Sequence, residues 1–146
     1  MMARAVNHNK HLSLKERIWQ TYRENKPSGI VTMWIYRYGH FVYYKFKVPL
    51  LRQLLLVLYV ILDNLWVKLV CSSEFPARCK IGRRLKLPHG ANGIIIHGEA
   101  VIGDDVVLFH QVTIGEAKTS GEVPTIGSSV TIGTGAKVLG NVSVCQ

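Results

Sequence analysis

The sequence predicts a mainly β protein, in which a parallel β-helix follows a small α-helical N-terminal domain. From about residue 71 onward, an aliphatic residue recurs every six positions and is often followed by glycine. Residues 1–70 instead carry helix-start signals and apolar residues at helical spacing. We therefore expect a helical region over residues 1–70 and a β-helix domain over residues 71–146.

The second part is built from hexapeptide repeats. A period of six fits neither a strand, whose side chains alternate, nor an α-helix, whose apolar face recurs every three or four residues. Repeats of this length are typical of parallel β-helices, in which each unit is a short strand and a turn and each coil covers the apolar interior of the next. The residues that open the units, and should point inward, are Ile81, Leu87, Ile96, Ile102, Leu108, Ile114, Ile126, Ile132, Val138 and Val144.

Two places break the period. Nine residues separate Leu87 from Ile96, which predicts a three-residue bulge around His89–Asn92. Twelve residues separate Ile114 from Ile126, which predicts that Gly115–Pro124 leaves the coil as a mobile loop. The sequence also ends in mid-unit, so we expect either a chain truncated at its C-terminus or a coil end that a partner covers.

Helix signals organise the first part. The capping box Ser13–Glu16 predicts a first helix that reaches about Asn25. The helix breakers Pro27–Gly29 follow it, and apolar residues at helical spacing predict a second helix over Ile30–Phe46.

A third helix is predicted from Pro49, which suits a first helical turn, to about Val70. It contains the longest uninterrupted apolar run, Leu54–Leu62, which has nine residues, whereas a membrane span needs about 20. We therefore expect a buried helix, or one that lies against a bilayer surface. The first twelve residues are polar and lack the apolar core of a secretory signal, which predicts a cytoplasmic protein with at most peripheral contact to the inner face of the membrane.

The net charge of +9 is concentrated in the first part. Residues 1–70 contain eleven Lys and Arg against three acids, and residues 71–146 contain seven against six. This basic front suggests an anionic partner, such as phospholipid headgroups or a phosphorylated ligand; a solvated positive face is an equally simple interpretation. We expect no nucleic-acid partner. Arg37 and His40 share one helical face here, and we expect both to pack rather than to catalyse.

Six segments of the second part carry recognisable motifs: Glu74–Gly82, Leu87–His89, Gly93–Ile96, Val101–Val106, Val112–Gly115 and Gly133–Asn141. Together they resemble the serine acetyltransferase family over about residues 70–146, and the helical front resembles it more loosely. The motifs are closest to the branch found in polysaccharide biosynthesis. The resemblance implies a left-handed coil, transfer of an acetyl group from acetyl-CoA to a hydroxyl, and homotrimers or dimers of trimers with sites between subunits.

The resemblance implies that His89 is the general base and that Glu74 is the acid that orients it. Acetyl transfer from a thioester to an alcohol requires removal of the hydroxyl proton, and histidine titrates in the right range. A carboxylate on the other ring nitrogen would stabilise the imidazolium. The alternative interpretations are a hydrogen-bonded surface histidine and a solvated glutamate where the helices meet the coil.

Counting units places a second histidine beside the predicted base. If three units form one coil, the unit of His110 lies above that of His89, at the strand spacing of about 5 Å. His110 stands where the family usually has glutamine. We predict that His110 and Asn92 line the acceptor pocket, and that His97, at a turn position, is structural.

The resemblance places acetyl-CoA along the coil, with the loop Lys118–Gly121 closing over it. Lys118 or Lys137 would pair with its phosphates. A basic cluster can do the same, or face an anionic membrane or solvent; it comprises Arg78, Lys80, Arg83, Arg84 and Lys86. The residues predicted to bind acetyl-CoA are Gly115, Lys118, Ser120, Gly121, Ala136 and Lys137.

The acceptor is predicted from two departures from the family. Serine acetyltransferases proper carry Asp-His where this chain has Pro88-His89, and Arg-His-Pro where it has Glu122-Val123-Pro124. An acid and a basic pair would bind the ammonium and carboxylate groups of serine. Their absence favours a hydroxyl of a sugar or polysaccharide precursor as acceptor, with L-serine as the alternative.

Two other classes of function stay open. A zinc enzyme resembling the carbonic anhydrases would show His-x4-His spacing, which His89, His97 and His110 lack, so we expect no metal. A non-catalytic trimeric module is compatible with so short a coil. The cysteines, which we expect to be reduced and mostly buried because their spacing suits neither a metal nor a disulfide framework, are Cys71, Cys79 and Cys145.

Overall fold

The computed structural model describes Arg23, residues 25–117 and residues 121–145, and the statements that follow concern these residues. The predicted capping box and the first helix lie outside them, as do Lys118 and Ser120.

In the described part of the chain, two helices precede the strands. Helix α1 spans Pro27–Lys45, and helix α2 spans Pro49–Leu62 and continues as a π-helix over Asp63–Lys68. Both α-helices begin at a proline, whose fixed φ suits the first turn and whose missing N–H would have no helical partner there. The break predicted after about Asn25 is present, since Lys26 is extended, but the second helix begins at Pro27 rather than at residue 30, because Pro27–Gly29 form its first turn.

The two helices approach each other closely at Gly39. A Cβ atom at this position would lie 2.3 Å from the ring of Tyr59 on α2, so only glycine allows the contact. The Tyr38 hydroxyl donates a hydrogen bond to the carbonyl of Leu55 (3.1 Å), and Arg52 donates to the carbonyl of Tyr43 (3.1 Å). Packing and polar contacts thus fix α2 against α1.

Much of α2 and its π-helical extension faces outward. The continuous helix Pro49–Lys68 has 20 residues and a mean hydropathy of 1.7, and only 17% of its apolar window is buried. It is long and apolar enough to cross a membrane, by length and composition alone. Of the two predicted alternatives, a buried helix and one that lies against a bilayer surface, the buried helix is therefore wrong. The apolar run ends at Asp63, but the helix does not, because Asp63 is buried on the inner face.

Nine short strands follow among the described residues, in three parallel sheets ordered β1-β3-β6-β9, β2-β5-β8 and β4-β7. From β2 onward, successive strands join the three sheets in turn, so the chain winds in three-sided coils. The strands are β1 Lys80–Ile81, β2 Ile95–Ile96, β3 Val101–Ile102, β4 Val107–Leu108, β5 Thr113–Gly115, β6 Thr125–Ile126, β7 Thr131–Ile132, β8 Lys137–Leu139 and β9 Ser143–Val144. The predicted order, a helical part followed by parallel strands, is confirmed.

The register confirms the hexapeptide pattern. Ile81 pairs with Ile102, which pairs with Ile126, and all three side chains are buried. Leu108 pairs with Ile132 in another sheet, and both are buried. The residue before each of these points outward, so every strand contributes one side chain to the core.

Helix α1 covers the first coil through polar side chains. The Tyr36 hydroxyl donates to the carbonyl of Cys79 (2.8 Å) and accepts from the N–H of Ile81 (3.1 Å). Arg37 donates to the carbonyl of Ile81 (3.0 Å), and His40 Nδ1 lies 3.0 Å from a coil carbonyl, that of Ala77. The predicted packing role of Arg37 and His40 is confirmed, and their contacts satisfy backbone groups at the open end of the sheets.

Ion pairs brace one corner of the coil. Arg84 and Asp105 occupy equivalent turns with left-handed φ values of 56° and 58°, and their side chains form an ion pair. Arg83 and Asp104 pair beside them at 2.9 Å. The backbone N–H of Arg83 also donates to Asp104 and, together with the guanidinium, holds the pKa of that carboxyl below its usual range.

Both predicted interruptions are present. The bulge at residues 88–94 lengthens a turn without shifting the strand register. Lys86 still forms a parallel bridge with Val107, the equivalent residue three repeat units later. Between β5 and β6, the described parts of residues 116–124 contain neither helix nor strand. Within this loop, the N–H of Gly121 donates to Glu116 (2.8 Å).

Candidate functional site

His89 and His110 meet at one corner of the coil. Their ring centroids lie 5.0 Å apart with an interplanar angle of 59°, which confirms the predicted stacking of the two histidines. His89 is exposed on its bulge, whereas His110 is half-buried in the turn between β4 and β5. The corner therefore presents one accessible imidazole supported by a second imidazole beneath it.

Phe109 completes the surroundings of the exposed histidine. Its ring centroid lies 5.5 Å from that of His89, at an interplanar angle of 39°. Phe109 was not predicted as a site residue, although one signal was present: it follows the inward Leu108, so it must point outward beside His110. One side of the His89 ring is thus covered by aromatic surface.

One nitrogen in this corner has no partner among the described residues. His110 Nδ1 is buried and makes no hydrogen bond there. A buried nitrogen without a partner is costly, so it is a natural contact for a polar group of a bound molecule. This observation supports the prediction that His110 belongs to a binding site.

The coil leaves space beyond His110. Thr134 occupies the position equivalent to His110 one coil further on, between Gly133 and Gly135. Cβ atoms placed on these glycines would have no heavy atom within 4 Å among the described residues. The histidine pair therefore borders an open step of the coil that a substrate can occupy.

Glu74 makes its contacts elsewhere on the first coil. Its backbone forms a parallel bridge with Ile95, and its side chain lines a cavity of about 350 Å³ together with Asp63, Lys68 and Arg78. Among the described residues, no hydrogen bond or ion pair joins Glu74 to His89. The structure therefore does not bring the predicted base and its predicted orienting acid together within one chain.

Asn92 is exposed on the same bulge as His89. Its carbonyl accepts a hydrogen bond from the N–H of Gln111 (2.9 Å), which ties the bulge to the turn beyond His110. The predicted acceptor residues Asn92 and His110 thus lie in adjacent coils at one corner. His97, predicted to be structural, accepts from the N–H of Glu99 (3.3 Å) in a turn.

Of the predicted acetyl-CoA residues, four are described. Gly115 ends β5, and its carbonyl accepts from the N–H of Gly140 (3.0 Å). Ala136 precedes β8, and Gly121 is exposed in the long loop. Lys137 is already engaged: its ammonium lies 3.1 Å from the carbonyl of Gln111 and 2.8 Å from the Thr113 hydroxyl. A phosphate would have to share Lys137 with these acceptors.

The basic cluster is less available than the sequence suggests. Arg83 and Arg84 are paired with Asp104 and Asp105, so two of its five cations are neutralised. Arg78 lies close to Gly98, where a Cβ atom would be 3.3 Å from its guanidinium. Phosphate binding by this cluster is therefore weakly supported, since two of its five residues brace the coil corner.

Among the described residues, no group of three or more His, Cys, Asp and Glu side chains is arranged to hold a metal ion. Cys71 and Cys79 are buried free thiols, whereas Cys145 is exposed. Burial raises the pKa of the Cys79 thiol to about 12. Cys79 is therefore an inert core residue rather than a nucleophile.

Comparisons with known proteins converge on one family, although no family model matches the chain. A serine acetyltransferase of Bacillus pumilus (strain SAFR-032) is 34% identical over 119 residues, which make up 80% of this chain and 50% of the relative. The chain thus spans about half the length of this curated relative.

Solved structures agree. The crystal structure of serine acetyltransferase from Brucella abortus strain S19 matches with a TM-score of 0.70 at 25% identity, over 88% of this chain and 54% of the other. A serine acetyltransferase in complex with cysteine matches with a TM-score of 0.67 at 27% identity, over 87% and 51%. Another in complex with CoA matches with a TM-score of 0.58 at 28% identity, over 75% and 40%.

Proposed function

Because the chain belongs to the serine acetyltransferase-like family of hexapeptide-repeat proteins, we propose that it transfers the acetyl group of acetyl-CoA to a hydroxyl, with His89 as general base. The observation that carries the proposal is an exposed imidazole, packed on His110 and Phe109, beside an open step of the coil. A base in this position can contact an acceptor alcohol that binds at the surface of the coil.

The reaction assigns a role to each group at the corner. A ring nitrogen of His89 accepts the proton of the acceptor hydroxyl while the oxygen attacks the thioester carbonyl. The carbon–sulfur bond then breaks, and the proton passes from His89 to the departing thiolate, so the histidine is restored. When bound, acetyl-CoA supplies the activated acetyl group. Gly115, Gly121 and Ala136 are the described residues that we propose to hold it, together with Lys118 and Ser120.

We propose L-serine as the acceptor. The curated relative is a serine acetyltransferase, and one matching structure of this kind binds cysteine, whose ammonium and carboxylate groups are those of serine. The saccharide hydroxyl predicted from the motifs is not supported by these comparisons. It remains the second candidate for one reason: Pro88, Glu122 and Val123 do not supply the acid and the basic pair that a zwitterion requires.

The architecture we propose is a left-handed parallel β-helix over residues 71–146, preceded by a helical region over residues 1–70. The three-sided parallel coils and the similarity to serine acetyltransferase structures support it. We further propose homotrimers or dimers of trimers in the cytoplasm. A shared site would allow the Glu74 of one chain to approach the His89 of another, which a single chain does not achieve.

The test is CoA release from acetyl-CoA with and without L-serine, comparing the wild type with His89→Gln. Loss of a general base lowers the rate by about 10²- to 10⁴-fold. The matched control is His97→Gln, since His97 is another partly exposed coil histidine and should leave the rate nearly unchanged. Serine-dependent release that needs His89 supports both the base and the acceptor.

Two other results separate the alternatives. Release with a saccharide but not with serine, still dependent on His89, would replace serine by the second candidate. Serine-dependent release that survives His89→Gln would refute the assignment of the base. A protein that binds no CoA compound would favour the non-catalytic trimeric module.

A further inference from the structure

Helix α2 presents a continuous apolar face to the outside. Leu50, Leu54, Val57 and Ile61 recur at intervals of four, three and four residues, and lie opposite the buried Tyr59. Their exposed fractions are 85%, 66%, 52% and 49%. We call these four residues the apolar face of α2. Exposed apolar stretches of this extent in soluble proteins mark interaction sites.

The polarity of the helix is inverted. Its inner side carries Arg52, Tyr59 and Asp63, which are half-buried or buried, whereas its outer side is aliphatic over three turns apart from the exposed Gln53. A helix that covers a soluble core shows the opposite arrangement. The outward face of α2 is therefore matched to an apolar environment rather than to water.

Basic residues frame this face. Between Lys26 and Val70 the sequence has six Lys and Arg and a single acid, the buried Asp63. Lys45 and Lys47 are exposed just before α2, and Lys68 is exposed where the helix ends. Positive charge thus stands before the start of a helix about 30 Å long, and at its end Lys68 is exposed but paired with Asp63 at 3.7 Å.

We propose that the apolar face of α2 docks on an anionic lipid bilayer, with Lys45, Lys47 and Lys68 against its phosphates. An aliphatic surface bordered by lysines is the chemistry that binds lipid surfaces carrying negative charge. Two copies of this chain joined symmetrically through this same face would place lysine ends against lysine ends in either orientation, which disfavours such a face-to-face dimer as the occupant. This proposal does not depend on the acetyl transfer.

The helix lies along the bilayer surface rather than crossing it. Tyr59 donates to the carbonyl of Phe75 (3.1 Å) and packs on Gly39, so α2 is anchored to both the coil and α1. Crossing would tear these contacts apart and carry Asp63 into hydrocarbon. We expect the apolar face to enter about 5–10 Å, to the boundary between headgroups and acyl chains.

The test is co-sedimentation of the full chain with phosphatidylcholine vesicles and with vesicles of phosphatidylcholine and phosphatidylglycerol in equal parts. We expect strong binding only to the anionic vesicles. The double variant Leu54→Ser/Ile61→Ser should weaken binding by about 100-fold, because two large side chains no longer leave water. Lys45→Gln/Lys47→Gln should weaken it by about 30-fold.

The matched control is Ile95→Ser/Val101→Ser, which removes two exposed aliphatic residues from the coil and should leave binding unchanged. Circular dichroism checks that each variant is folded. Absence of wild-type binding to anionic vesicles would overturn the proposal, as would binding that the control lowers as much as Leu54→Ser/Ile61→Ser. A smaller oligomer for Leu54→Ser/Ile61→Ser without any lipid binding would assign the face to a second copy instead.

Discussion

The tyrosine that joins α1 to the first coil allows a direct test of how the two parts are held together. Tyr36 is fully buried, and its hydroxyl serves both the carbonyl of Cys79 and the N–H of Ile81. Burial raises the pKa of Tyr36, so the hydroxyl stays protonated and can make both bonds. Tyr36→Phe removes one oxygen atom and leaves two buried backbone groups without a partner.

The expected cost follows from those two groups. A buried donor or acceptor left unsatisfied costs about 1–3 kcal/mol, so we expect Tyr36→Phe to lower the free energy of unfolding by about 2–6 kcal/mol. For a chain of this length, that corresponds to a fall in melting temperature of about 7–20 °C. Urea denaturation followed by circular dichroism, at one fixed protein concentration, measures the loss.

Tyr44→Phe is the matched control. Tyr44 is 48% exposed, and its hydroxyl also donates to a coil carbonyl, that of Arg78, at 2.9 Å. Water can replace this bond, so the control should cost less than about 0.5 kcal/mol. Equal losses for the two variants would refute the argument. They would show that water can replace the Tyr36 hydroxyl as the hydrogen-bond partner of these backbone groups.

Three further predictions concern charge and packing. The arginine partner of Asp105 holds the pKa of this carboxyl below its usual range, so Asp105→Asn should destabilise the fold at pH 7. The gap in unfolding free energy should close as pH falls below the ordinary aspartate pKa of about 4 and through the lower folded-state value. Burial raises the pKa of Asp63, because a buried carboxylate is penalised for being ionised. Asp63→Asn should therefore gain stability relative to the wild type as pH rises from about 3 to 7. A difference in unfolding free energy that stays constant over this range would contradict the prediction. Gly39→Ala should cost about 1–3 kcal/mol in urea denaturation through its clash with Tyr59, whereas Gly133→Ala, with open space around it, should cost little.

Much of the coil could be predicted because its information is local. Each unit needs an inward aliphatic residue such as Ile81 or Ile102, and a period of six cannot be mistaken for another structure. The start of α1 was predicted wrongly because Pro27 carries two opposite meanings, as a breaker and as a first-turn residue. Only packing against the coil, where Gly29 lies beside Leu87, distinguishes them.

The sequence left open whether the apolar run of α2 is buried or lies against a bilayer surface, and it did not show how far the exposed helix continues. A count of consecutive apolar residues stops at Asp63, because a charged residue ordinarily ends a buried or membrane-facing segment. In the structure this carboxylate faces inward and pairs with Lys68 at 3.7 Å, so the helix continues past it. Which side of a helix meets the protein is a property of the tertiary fold, and the inverted pattern of α2 appears only when Tyr59 is seen to be buried.

The histidine pair was predictable and the acid was not, for one geometric reason. Equivalent positions in successive coils stack at the strand spacing, so counting units from His89 leads to His110. Glu74 belongs to another side of the coil, in the first outward position below Ile95. The distance between Glu74 and His89 depends on the shape of the turns at the coil corners and on any neighbouring chain. The six-residue period of the sequence specifies neither.

The bulge itself is the feature on which the proposed chemistry depends. Without its three extra residues, the turn after Leu87 would resemble the tight turn after Leu108, where the histidine is half-buried. The insertion leaves the pairing of Lys86 with Val107 unchanged and lengthens only the turn, so it moves His89 outward without disturbing the core. The hydrogen bond from Gln111 to Asn92 then ties the longer turn to the coil. A general base must be both exposed and fixed, and the bulge provides the exposure while the neighbouring turn provides the fixation.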